Sequence, residues 1–240
     1  MRETPGRRMR RRLGLPGSTG SALPAAAFDY AAGFGWRVLP GASPAPRREP
    51  EVPFLVRRAA ARPAPVRCSC PVPDCPQPGA HPLDPPLPAA TADPRMVRWW
   101  WRVRPQASLL LATGGRGPSA VSLPAPAGAQ ALRALDRRGV RTGPVVATPQ
   151  RWALLVAPYS LAELGELLYE LEWVPPTLRF HGDGGYLALP PTTCGAARTH
   201  WERPPQTGPT TAPWLPEVST VINELVAAGA AMSPSEQNGR

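Results

Sequence analysis

Hydrophobic positions repeat with two different periods along the chain, and the switching between them predicts a mixed fold. In "SLAELGELLYELEW" Leu161, Leu164, Leu168 and Leu171 recur three and four apart, which sets them on one face of a helix. Ser160 and Glu163 form a capping box that fixes its start. "AGAQALRALDRRG" repeats the pattern with Ala131, Leu132 and Leu135, and Gly139 stops it. "PEVSTVINELVAAG" predicts a closing helix, and "ATADPRMVRWWWRV" another, with Asp93 as cap and Pro94 at the first helical position. Trp99, Trp100 and Trp101 fan around that helix between Arg98 and Arg102, so at least one faces the core; packing outweighs base stacking as their role.

Shorter apolar runs predict strands. "ASLLLAT" (107–113) and "SAVSL" (119–123) are joined by "GGRGP", either a hairpin connection or a set of backbone amides for a phosphate. "PVVAT" and "RWALLVAP" read as a pair. "AAAFDYAAGFGWRVLPG" is a short helix running into a strand at Trp36–Leu39, closed by Pro40 and Gly41. "GDGGYLALPP" is a tight turn feeding a strand, with "RTHWERP" as its expected partner. Neighbouring strand pairs mixed with helices argue for an α+β fold rather than a doubly wound sheet.

Length and composition change this picture in three ways. A chain of 240 residues buries one core, expected at 23–230 between a disordered basic tail (1–22) and a second tail (231–240). Formal charge is +10, but residues 1–20 hold six arginines against Glu3, so half of the excess lies in that tail. No lysine occurs at all, and 36 prolines accompany abundant Ala and Gly; this bias fits a GC-rich, bacterial type of genome. Charge alone therefore leaves nucleic-acid contact open. The missing lysine excludes Schiff-base chemistry and a Walker-type phosphate site. No window has the apolar length of a membrane span, and no apolar run follows the N-terminal arginines, so a cytoplasmic location without membrane contact is expected.

In a reducing compartment cysteines read as metal ligands or free thiols. "CSCPVPDCPQPGAHP" gives Cys68-x-Cys70-x4-Cys75-x5-His81, four zinc-type ligands in a loop (66–84) too rich in proline for regular structure. Four protein ligands close the coordination shell, which predicts a structural zinc. Cys194 has no such company and reads as a passive thiol.

"AAFDYAAGFGWRVLP", the Cys/His loop, "ATADPRMVRWWW", "PQASLLLATG", "PAGAQALRAL", "GPVVAT" and "GDGGYLALPP" follow one another from Ala25 to Trp201. In that order they resemble the N-terminal domain of bifunctional DNA primase/polymerases, in the archaeo-eukaryotic primase superfamily. The resemblance implies an α+β domain with a mixed or antiparallel sheet, flanking helices and a Cys/His loop. It also implies synthesis of nucleic-acid strands, as in DNA replication, with Mg or Mn held by carboxylates.

The resemblance breaks at the catalytic positions. The family's Asp-x-Asp pair falls on Ser122 and Pro124, its third acid on Arg179, and its phosphate-contacting histidine on Trp152. Arg151 survives, and His181 stands where an arginine is usual. From Met96 to Asp136 the first acid met is Asp136 itself, a helix residue among arginines, and Asp183 reads as a turn-former. The expectation is a pseudoenzyme: a primase/polymerase-like domain that has lost nucleotidyl transfer and keeps nucleic-acid, nucleotide or protein binding. Arg151, Arg179 and His181 are the expected nucleotide- or DNA-binding residues, with Trp152 filling part of the old cleft. The alternatives are an active primase/polymerase with displaced acids, and a protein-interaction module on the same fold.

Overall fold

The computed structural model describes residues 22–46, 66–206 and 212–232. The two expected tails fall outside these residues except for Ala22, Ala231 and Met232, which belong to the first and last helical segments or their caps.

Helix α1 (Ala22–Phe28) runs into a π-helical turn, Asp29–Gly33. Strand β1 (Val38–Gly41) follows, then β2 (Pro44–Pro46) and β3 (Val66–Cys68), which pair as an antiparallel ribbon. Pro40 and Gly41 continue β1 instead of closing it. A proline is tolerated there because β1 is an edge strand with one neighbour. Helix α2 (Pro94–Val103) begins as its sequence predicts, with the Asp93 carboxylate accepting from the Arg95 amide at 2.9 Å. Trp100 and Trp101 are buried and Trp99 is exposed; the Trp101 indole N–H donates to the Ala107 carbonyl at 3.1 Å.

Strands β4 (Ser108–Ala112) and β5 (Ser119–Pro124) are present, but not as a hairpin. With β9 (Tyr186–Ala188), β4 completes a three-stranded sheet, β1-β4-β9. β5 belongs to a five-stranded sheet with β6 (Val145–Ala147), β7 (Arg151–Val156), β8 (Arg179–His181) and β12 (His200–Arg203), ordered β12-β6-β7-β5-β8. All pairings in both sheets are antiparallel. The chain passes between the two sheets three times: at 189–199, on the way to β12, and at 113–118 and 182–185, which lie side by side. The latter two crossovers are stitched together: Thr113 Oγ1 donates to the Gly182 carbonyl at 2.7 Å, and the Thr113 amide to Gly185 at 3.0 Å. The glycine-rich turn is thus a crossover between sheets. Likewise β12 pairs with β6 rather than with β9, while β10 (Thr193–Cys194) and β11 (Ala197–Arg198) form a small ribbon of their own.

Strand alternation gives the five-stranded sheet two distinct faces. Ala120, Val146 and Leu155 join a core with α1, α2, β1 and β4. Val121, Leu123, Leu154 and Val156 face the other way, onto helices α3 (Ala125–Arg137), α4 (Leu161–Tyr169) and α5 (Val218–Ala231). The capping box of α4 forms as expected, with the Glu163 amide donating to Ser160 Oγ at 3.1 Å. Leu164 is buried, and Leu167, Leu168 and Leu171 pack beside it, but Leu161 is 84% exposed. The buried arc is centred on Leu164 and Leu168, so Leu167 takes the place expected of Leu161.

Candidate functional site

The Cys/His loop is tied to both strands of its ribbon at one end. Cys68 ends β3 opposite Pro44, and the Ser69 amide donates to the Ser43 carbonyl at 2.9 Å. Gly79 bends the loop back at φ +74°; a Cβ there would lie 2.6 Å from the Thr193 carbonyl and 2.8 Å from Pro44 Cδ, so no other residue fits. His81 is anchored by its carbonyl, which accepts from the Ala42 amide at 2.9 Å. Its Nδ1 lies 2.8 Å from the Pro82 carbonyl and must donate there, leaving the Nε2 lone pair facing Cys68 Sγ (3.2 Å) and Cys75 Sγ (3.4 Å). That second-neighbour bond is the usual way a ligating imidazole is oriented.

The four ligand atoms of Cys68, Cys70, Cys75 and His81 lie within 4.8 Å of one another. Tetrahedral zinc thiolates need sulfurs about 3.8 Å apart, so the set fits a soft divalent metal. Burial pushes the Cys68 thiol up, but backbone N–H groups of Cys70 and Gly79, with His81, outweigh it and bring it down to about 7. Cys75 goes the other way, to about 11, through burial and the neighbouring sulfurs of Cys70 and Cys68. Clustered thiolates repel unless a cation lies between them.

Beside this loop a cleft of about 610 Å³ opens on one face of the five-stranded sheet. Antiparallel register builds its floor. Ser122 is paired with Ala153 on one side and Arg179 on the other, while Pro124 is paired with Arg151, so all of these share a face. The walls are Gly184–Ala188, Cys194 and Gly195, and Pro76, Gln77, Pro78 and Ala80 of the Cys/His loop. The Gly195 amide donates to the Pro78 carbonyl at 2.8 Å, joining two of these walls.

Arg151, Ser122 and His181 form one hydrogen-bonded set. Arg151 Nη2 donates to the carbonyls of Ser122 (2.7 Å) and Thr177 (2.8 Å) and to Ser122 Oγ (3.2 Å). Ser122 Oγ lies 2.9 Å from His181 Nε2. Burial, then the charges of Arg151 and Arg179, pull His181 down to about 4, against an opposing bond to the Tyr186 backbone. The imidazole is therefore neutral at physiological pH, and its Nε2 accepts a hydrogen bond from the Ser122 hydroxyl. Burial and the charge of Arg179 also lower the pKa of Arg151. Among the described residues no Asp or Glu lines the cleft, and the Cys/His set is the sole group of metal-type ligands brought together. A pair of Mg or Mn ions does not fit such a site: two arginines repel cations, and hydroxyl and imidazole do not replace bridging carboxylates. What the arrangement offers is donors for an anion.

The structure thus gathers Ser122, Arg151, Arg179 and His181 in one place, with Pro124 at the strand's end. Trp152 is elsewhere. One residue along β7 it points to the opposite face, against Gly128, where a Cβ would lie 2.6 Å from that of Trp152. Arg151, not Trp152, faces the cleft at this point of the strand, and the cleft remains open. Asp136 is paired with Arg203, and Asp183 packs its backbone against Gly114. Burial raises Cys194 to about 11, which suits a passive thiol. Thr148, Gln150 and Tyr186 also line the cleft; no spacing in the sequence marks them, because loops and a second sheet bring them in.

Among the described residues no helix is long and apolar enough to cross a membrane. Neither curated proteins nor solved structures yield a match to the chain. The family model for the N-terminal domain of bifunctional DNA primase/polymerases matches residues 27–215, well over half of the chain. With an antiparallel α+β architecture and the Cys/His cluster in place, the chain belongs to the family of bifunctional DNA primase/polymerase N-terminal domains.

Proposed function

We propose that this member of the family has given up metal-dependent nucleotidyl transfer and uses its cleft to hold the phosphate of a nucleotide or of DNA. One observation carries this reading: the cleft is lined by Arg151, Arg179, Ser122 and a neutral His181, and among the described residues by no carboxylate. Ser122, Pro124 and Arg179 then stand at the former acid positions. Phosphate docks on Arg179, which is exposed, and on whatever donors of Arg151 the sheet carbonyls leave over. No divalent ion takes part. The Cys68, Cys70, Cys75 and His81 cluster holds one zinc that fixes the loop wall and does no chemistry, since four protein ligands leave no place for water.

Template-dependent nucleotide incorporation with Mg²⁺ or Mn²⁺ tests the loss of catalysis, and nucleotide binding in excess chelator, at a strength that spares the zinc, tests the retained function. The reading expects no primer extension and chelator-insensitive binding. Extension by the unaltered protein would overturn it in favour of an active polymerase with displaced acids.

A further inference from the structure

Two helices expose apolar rows that their own cores do not cover, and the rows carry opposite charge. On α2 the row is Met96, Trp99 and Val103, at 43%, 49% and 57% exposure, spaced three and four apart on one face. Arg95 and Arg102 run beside it, and among the described residues neither guanidinium has an acidic partner. On α4 the row is Leu161 and Tyr169, at 84% and 92% exposure, eight residues apart and hence about 80° apart around the helix. Gly165 lies between them with nothing within 4 Å of where its Cβ would be. Leu161, Gly165 and Tyr169 therefore frame a notch. Glu166 and Glu170 are exposed on one flank of it, each about 100° further round the helix than the notch residue before it.

The two faces match in three respects. Each extends over about two turns, or roughly 10–12 Å. One presents a large projecting indole and the other a glycine notch between two large side chains. One is edged by arginines and the other by glutamates, which sets partner choice in packed helices. They cannot meet within one molecule, because α2 packs on the core of the three-stranded sheet and α4 on the opposite side of the five-stranded sheet. Met96 and Val103 have no stacking role toward bases, so a protein surface suits this face of α2 better than nucleic acid does.

We propose that α2 of one chain docks on α4 of a second copy, with Trp99 seated over Gly165 between Leu161 and Tyr169. The surfaces differ, so the contact is heterologous and propagates head to tail. Each contact is smaller than the roughly 1,000 Å² of a stable interface, which makes the assembly weak, concentration-dependent and salt-sensitive.

Sedimentation equilibrium of the full chain, from micromolar to millimolar concentration, tests this with a charge swap. Arg95→Glu with Arg102→Glu forms one variant, and Glu166→Arg with Glu170→Arg the other. Each alone loses self-association by about tenfold or more, and an equimolar mixture regains it, because each acidic face then meets a basic one. Thermal melts of the variants establish that these exposed substitutions leave the fold intact; should either misfold, Trp99→Ala and Tyr169→Ala replace them and each weakens association by about tenfold. A wild type that stays monomeric at millimolar concentration overturns the proposal. So do variants that associate like wild type, or a Trp99→Ala variant whose defect is confined to oligonucleotide binding.

Discussion

Arg179 and Ser122 are directly paired residues of adjacent antiparallel strands, so the two positions expected from the family resemblance to carry its third and first acids are neighbours on one face of the sheet. That pairing makes the site an all-or-none arrangement. Three carboxylates here would repel one another without metal, and an arginine among them would neutralise one. On the proposed reading, Ser, Pro and Arg at these positions together make a self-consistent anion site instead of a damaged cation site.

The arginines are expected to dominate ligand affinity. Arg179→Glu should weaken nucleotide binding in chelator by about tenfold or more, the loss of one charge-assisted contact plus the repulsion introduced. Arg151→Lys should fail to restore Arg151→Ala, because an ammonium cannot span the Ser122 and Thr177 carbonyls as the guanidinium fork does. Isothermal titration calorimetry with a nucleoside triphosphate reads both; unchanged affinity in Arg179→Glu would place the ligand elsewhere.

His181 links stability to pH. Its folded pKa, about 4, lies below the ordinary 6.5, so between those values the unfolded chain binds the extra proton. Stability from this group is complete above pH 6.5 and is lost as pH falls toward 4, by about 3 kcal/mol in all. Urea denaturation at steps from pH 7 to 4 should show this slope, and His181→Asn should flatten it.

Metal removal should act on both the loop and the cleft. Purified protein should carry about one zinc per chain, and Cys75→Ala should lose it. Since Pro76, Gln77, Pro78 and Ala80 wall the cleft, the same variant should also bind nucleotide more weakly, although it touches no arginine. Elemental analysis paired with the calorimetric titration separates the two effects; metal loss with unchanged binding would make the loop a remote staple.

Gly128 is expected to tolerate no side chain. Gly128→Val drives a methyl group into Trp152 and should destabilise the fold by about 1–3 kcal/mol, visible as a lower urea midpoint with an unchanged slope. Because Trp152 lies behind the sheet, nucleotide affinity of the folded variant should stay the same.

Local signals in the sequence foretell most of the elements: the Asp93 cap, the Ser160–Glu163 box and the Gly139 stop all form in the structure. The strand partners are another matter. "GGRGP" between two apolar runs looks the same whether it returns the chain to its neighbour or carries it to another sheet, and the choice rests on contacts between Thr113 and a turn 69 residues further on. The Cys/His set is legible because its chemistry and spacing are both local. Which of Arg151 and Trp152 faces the cleft is not, since alternation fixes only that they differ; Gly128, on a helix before the strand, decides it. The exposed Leu161 shows the same limit, as periodicity names a face without saying how far the core extends along it.

The wall of the cleft between Cys75 and His81 is bounded at its two ends by residues of the Cys/His cluster and contributes no strand to either sheet. Apart from Gly79, whose bend admits no side chain, its interior positions can therefore be exchanged without disturbing strand register or the arginine floor. If the cleft holds phosphate as proposed, recognition is in that sense modular: the sheet would set the affinity for phosphate, and a few replaceable loop residues would set what the phosphate is attached to.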